Sequence, residues 1–136
     1  MDSCCRHTCV TVVETPANAS IVKFPDNADI RDGKILSILV RRSGDETLYT
    51  QTGAEVVADS VIAGATITLV NARNVNVFVG PMSMLQRDYN SPEPFHVNPN
   101  AYGGIDLTRS QVAIRTADID ADKAIEVVFE YECKHC

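Results

Sequence analysis

Between Ala65 and Leu85 apolar and polar residues alternate in two runs. Ile67 and Leu69 stand among Thr66 and Thr68, and Val75, Val77 and Val79 among Asn74 and Asn76. A period of two is expected where one strand face is buried and the other is wet. Asn71-Ala72-Arg73 separates the runs with a residue that tolerates turn geometry, and Gly80-Pro81 ends the second run because proline donates nothing to a ladder. The stretch predicts a β-hairpin in the middle of the chain.

The same pattern extends to both sides. Thr8 to Glu14 is rich in β-branched residues and predicts a first strand, and Ile21 to Phe24 a short second one closed by Pro25. Asp32-Gly33 is a turn signal before Lys34 to Val40. There Ile35, Ser37 and Leu39 share one face and Leu36, Ile38 and Val40 the other, which predicts a central strand covered on both sides. Ser43-Gly44-Asp45 turns the chain toward an edge strand over Glu46 to Gln51. Val56, Val57, Val61 and Ile62 fit either a short helix or a further strand, and Pro81 to Gln86 fits one helical turn opened by proline. Two strands close the chain, Ser110 to Thr116 and Ala124 to Glu132. The second alternates Ile125, Val127, Phe129 and Tyr131 against Ala124, Glu126, Val128 and Glu130. About seven to nine short antiparallel strands without a long helix predict an all-β fold, a single-domain jelly roll or β-sandwich.

Composition narrows the partners. A chain of 136 residues, 45% hydrophobic, is one domain with enough material for a core of its own. The net charge of −6 argues against a nucleic-acid-binding surface, which needs clustered cations; Arg41-Arg42 is the only adjacent pair and is expected to be plain exposed charge. No apolar run is long enough for a membrane helix, and Met1 to Arg6 lacks the apolar centre of an export signal. Residues 88–104 are irregular, with Pro92, Pro94, Pro99 and Gly103-Gly104, and they carry Tyr89, Phe95 and Tyr102. A long loop of this kind is either functional or folded over its own core. The three aromatics favour an arm that packs on a neighbour, which makes Tyr89, Phe95 and Tyr102 candidate interface residues.

All five cysteines lie at the ends, within residues 1–9 and 133–136. If the first and last strands are neighbours, Cys5, Cys9, Cys133 and Cys136 supply four thiolates for a structural zinc ion, with His7 or His135 as substitutes. Disulfides such as Cys5 or Cys9 with Cys133 are the direct competitor, and free thiols are the third option. Each role is structural, because no general base or oxyanion site accompanies the thiols. Asp118-Ile-Asp120-Ala-Asp122 resembles the start of a calcium loop. Lys123 and Phe129 occupy the positions that need glycine and glutamate, so a solvated turn is expected instead. His96 has no nucleophile beside it in sequence, and the sequon Asn18-Ala19-Ser20 has no meaning without export. No phosphate loop, His-Glu-x-x-His or nucleophile elbow is present, and the expectation is a protein that is not an enzyme.

Four stretches together resemble small virion proteins of tailed bacteriophages, including crAss-like phages. They are Phe24-Pro25 with Ile30 to Val40, Thr66 to Asn71 with Val79 to Leu85, Gly104 to Ile114, and Ile125 to Tyr131. The resemblance spans Ile21 to Tyr131 and lies in hydrophobics and turns, and it carries no active site. It implies one jelly-roll domain that is made in the host cytoplasm and joins the virion as a decorating, vertex or fibre-base subunit. Its partners would be the major capsid protein or copies of itself. The cysteine-rich ends depart from that pattern. A carbohydrate-binding sandwich is the alternative, with Tyr89, Phe95 and Tyr102 beside Asn98 and Asn100 as the sugar site.

Overall fold

The computed structural model describes residues 6–41, 48–86 and 94–134. Nine strands run through them: β1 Arg6–Ala17, β2 Ile21–Lys23, β3 Lys34–Val40, β4 Glu55–Val56, β5 Thr66–Val70, β6 Asn76–Pro81, β7 Phe95–His96, β8 Gln111–Ala113 and β9 Asp120–Lys134. Three short helices are interspersed, α1 Ala28–Asp32, α2 Asp59–Ala63 and α3 Pro99–Tyr102. One sheet has the order β1-β9-β3-β7, with β4 added to β9, and the other has the order β2-β8-β5-β6. Leaving out β4, the strands nest: β1 pairs with β9, β2 with β8, β3 with β7 and β5 with β6, all antiparallel. This is one long hairpin wound into two facing sheets, the jelly-roll strand order.

The core lies between the sheets. β9 contributes Ile125, Val127, Phe129 and Tyr131, β3 contributes Ile35, Ile38 and Val40, and Val22, Val112, Ile67 and Leu69 face them from the second sheet. Ile30 of α1, Ile62 of α2 and the buried Met82, Leu85, Ile105 and Leu107 close the ends. Burying this many branched side chains, at about 1.5–3 kcal/mol each, is the main term that offsets chain entropy.

Two bulges revise the face assignments read from alternation. In β3 the register moves from Ile35 opposite Tyr131 to Ser37 opposite Glu130, so Leu36 is the extra residue and Ile35, Ile38 and Val40 all reach the core. In the hairpin, Leu69 stands opposite Phe78 but Val70 opposite Asn76. The extra residue flips the parity of β6: Val77 is buried, whereas Val79 is 53% exposed and Phe78 turns inward. Asn74, expected as a polar position of the second strand, instead takes a positive φ of 63° in the turn, a conformation that asparagine tolerates.

Short elements account for the other differences. Asn27 caps α1 by accepting from the backbone N–H groups of Asp29 and Ile30, so the chain makes a helical turn before Gly33. Val56 belongs to β4 and Val61 and Ile62 to α2, so both alternatives for that passage occur in succession. Of the edge strand expected over Glu46 to Gln51, residues 46 and 47 lie outside the described residues. The remainder forms no strand, only a single bridge from Tyr49 to Glu55. The turn after Pro81 is a 3-10 turn over Met82–Met84. β9 begins at Asp120, so part of the polar connection before Ala124 is already strand.

Candidate functional site

The nesting of β1 on β9 brings the two ends of the chain together, and Cys9 and Cys133 form a disulfide with their Cα atoms 5.9 Å apart. Cys9 stands opposite Tyr131 and Cys133 opposite His7, so the bridge runs diagonally across neighbouring strands on the core-facing side. Sulfurs bonded to each other are not thiolates, so in this oxidised form Cys9 and Cys133 are not the zinc ligands considered above. Cys5 and Cys136, the other two of that set, lie outside the described residues, as do Cys4 and His135.

Tyr89 also lies outside the described residues, and the two other aromatics of the 88–104 segment turn inward. Phe95, in β7, packs edge-on against Phe78 of β6, with ring centroids 5.4 Å apart and planes at 73°. Tyr102, the last residue of α3, packs on the core, and its carbonyl accepts a hydrogen bond from the Asn71 side chain at 3.0 Å. The described part of the segment is therefore folded over its own chain rather than held out as an arm. The reason is that β6 and β7 are facing edges of the two sheets, and the gap between them needs large side chains to fill it. Both residues are half-buried.

One end of the sandwich is built around Asp106. Its carboxylate accepts from the Thr108 hydroxyl at 2.6 Å and the Thr108 backbone N–H at 3.1 Å. The Thr108 side-chain bond holds this carboxyl below the ordinary carboxylate range against the opposing effect of burial, helped by the Thr108 backbone bond and by Arg109 and Arg31. Arg31 is in turn held more firmly protonated by its hydrogen bond to Asp26 and by that carboxylate's charge. These bonds lie within two short turns, Asp106 to Thr108 and Asp26 to Arg31.

The outward faces of the two sheets contrast. On the first, Glu126, Glu130 and Glu132 form an acidic column along β9. Arg41 and Lys34 lie on its β3 side, and Glu14, Val12, Val10 and Thr8 stand opposite on β1. Arg41 donates to Glu126 at 2.6 Å, and that glutamate side chain is only 2% exposed. Glu14 faces Glu126 directly across the strands, and each keeps one carboxylate oxygen buried without a hydrogen-bond partner. A place at the end of a strand predicts plain exposed charge for Arg41, and alternation only sets Glu126 on the face away from Ile125. What buries one residue of an outward face is a neighbour that no local pattern encodes.

The outward face of the second sheet is nearly free of charge. Its rows are Ile21-Ala113-Thr66-Pro81 and Lys23-Gln111-Thr68-Val79, with Ile21 54% and Val79 53% exposed. Among the described residues of these rows, Lys23 on the edge strand β2 is the single ionic group. His96 on β7 is exposed, and no cluster of three or more potential metal ligands occurs among the described residues. No family model, characterised protein or solved structure matches the chain.

Proposed function

We propose that this chain is a structural subunit of a bacteriophage particle, assembling through protein–protein contacts as an auxiliary or decorating component. The observation that carries the reading is the outward face of the second sheet. On a chain of net charge −6, it sets Ile21, Ala113, Thr66, Thr68, Gln111, Val79 and Pro81 side by side with only Lys23 among them. Depletion of charge, rather than bulk hydrophobicity, distinguishes the centre of a protein interface from ordinary surface. The jelly-roll order is shared by capsid and lectin domains, so the strand order is compatible with a virion role without choosing it.

Density-gradient fractionation of a lysate in which the chain is made in its native context tests the reading. The chain is expected to co-sediment with nucleic-acid-filled particles, and Thr68→Glu on the neutral face is expected to release it to the top of the gradient. Wild-type chain that stays entirely at the top overturns the proposal.

A further inference from the structure

The two sheets expose four edges of unequal length. β7 has 2 residues, β2 has 3, and β6 has 6 and ends on Pro81, whereas β1 runs for 12 residues. All backbone pairing of β1 among the described residues is with β9 on one side. On the other side every second residue points its N–H and C=O away from the sheet, with no backbone partner among the described residues. Long open edges are normally blunted by lysine, proline or a bulge. β1 has no lysine, and its proline and bulge come only at Pro16 and Ala17. From Arg6 to Glu14 the edge is open and rich in β-branched residues. The Cys9–Cys133 disulfide pins its middle to β9, so the edge is a fixed template and little order is left to impose on binding.

We propose that this edge pairs antiparallel with β1 of a second copy, about a two-fold axis at Val10. Only even sums of paired residue numbers keep outward-pointing backbone groups opposite each other and keep each side chain on its own face. Among those registers, centring on Val10 places Arg6 opposite Glu14 at both ends of the joint, Thr8 opposite Val12, and Val10 opposite its own copy. Centring on Thr11 instead sets Thr8 opposite Glu14, and centring on Val12 sets Val10 opposite Glu14. Among these registers, the Val10 one alone sets residues of opposite charge, Arg6 and Glu14, opposite each other. It also covers Val10, which is 61% exposed, the largest exposure of any aliphatic side chain on β1. The joint makes the two first sheets continuous across an isologous interface. It goes beyond the particle reading and uses a different surface, so either can fail without the other.

Sedimentation velocity of the full oxidised chain over a concentration series tests it. Wild type is expected to show a monomer–dimer equilibrium. Val10→Lys sets a charge against itself across the two-fold and is expected to raise the dimer dissociation constant by about tenfold or more. Val10 is exposed, so the variant's circular dichroism and melting are expected to match wild type. An equimolar mixture of Val10→Lys and Val10→Glu restores the dimer, because only this register places residue 10 opposite itself. Glu14→Arg weakens the dimer and Arg6→Glu/Glu14→Arg recovers it. A wild type that is monomeric throughout, a dimer indifferent to Val10→Lys, or a mixture that fails to re-associate overturns the proposal.

Discussion

Removing the Cys9–Cys133 bridge is the perturbation with the most calculable effect. The two residues are 124 positions apart, so the bond closes a loop of almost the whole chain. In the chain-entropy description, cross-linking a loop of that length removes denatured-state freedom worth about 5 kcal/mol near room temperature. Real denatured chains are more compact than that description assumes, which lowers the expectation to about 3–5 kcal/mol. For a domain of this size the midpoint of melting should fall by roughly 10–15 °C. The assay is urea and thermal unfolding of Cys9→Ala/Cys133→Ala against oxidised wild type. Alanine avoids burying a hydroxyl where Cys133 is 2% exposed, and the lost sulfur adds only about 1 kcal/mol of packing. The urea m-value should rise, because an uncrosslinked chain exposes more surface when it unfolds. A double variant within about 1 kcal/mol of oxidised wild type refutes the reasoning, and with it the idea that the bridge constrains the unfolded ensemble.

Three further outcomes follow from the packing and the polar contacts. Gly104→Ala is expected to destabilise by about 1–3 kcal/mol in chemical denaturation, because a Cβ there runs into the carbonyl oxygens of Ile30 and Arg31. Gly64→Ala, whose nearest Cβ contacts are atoms of the movable Arg115 side chain, should cost less. Arg41→Ala strips the partner from the buried Glu126 carboxylate and is expected to cost about 1–3 kcal/mol, with Arg41→Ala/Glu126→Gln recovering part of the loss. Equal stability of the single and double variants would contradict a paired role. Asp106→Asn should destabilise at neutral pH. Because the folded-state pKa of Asp106 lies below its ordinary value of 3.8, its contribution is complete above that value and is lost as pH falls through the folded one. The gap between wild type and variant in a melting series should therefore close only in strong acid, and a gap that persists there argues for a purely steric effect.

Local pattern determined much of this protein. Ile67 and Leu69 against Thr66 and Thr68, and Ile125 to Tyr131 against their polar neighbours, marked β5 and β9 because a strand's side chains alternate by covalent geometry alone. Asn71-Ala72-Arg73 and Gly80-Pro81 marked the turn and the end of the hairpin for the same local reason, although the turn runs on through Asn74. The all-β sandwich follows from such runs, since strands with one apolar face must cover it with another sheet. The bulges at Leu36 and in β6 were not legible, because an extra residue is set by what the partner strand offers, and that partner is remote in sequence. The same holds for the choice of Cys9 with Cys133 among the cysteines, for the inward turn of Phe95 and Tyr102, and for the burial of Glu126 against Arg41. Each depends on distances between residues tens of positions apart, and only the nesting of β1 on β9 and of β3 on β7 sets those distances.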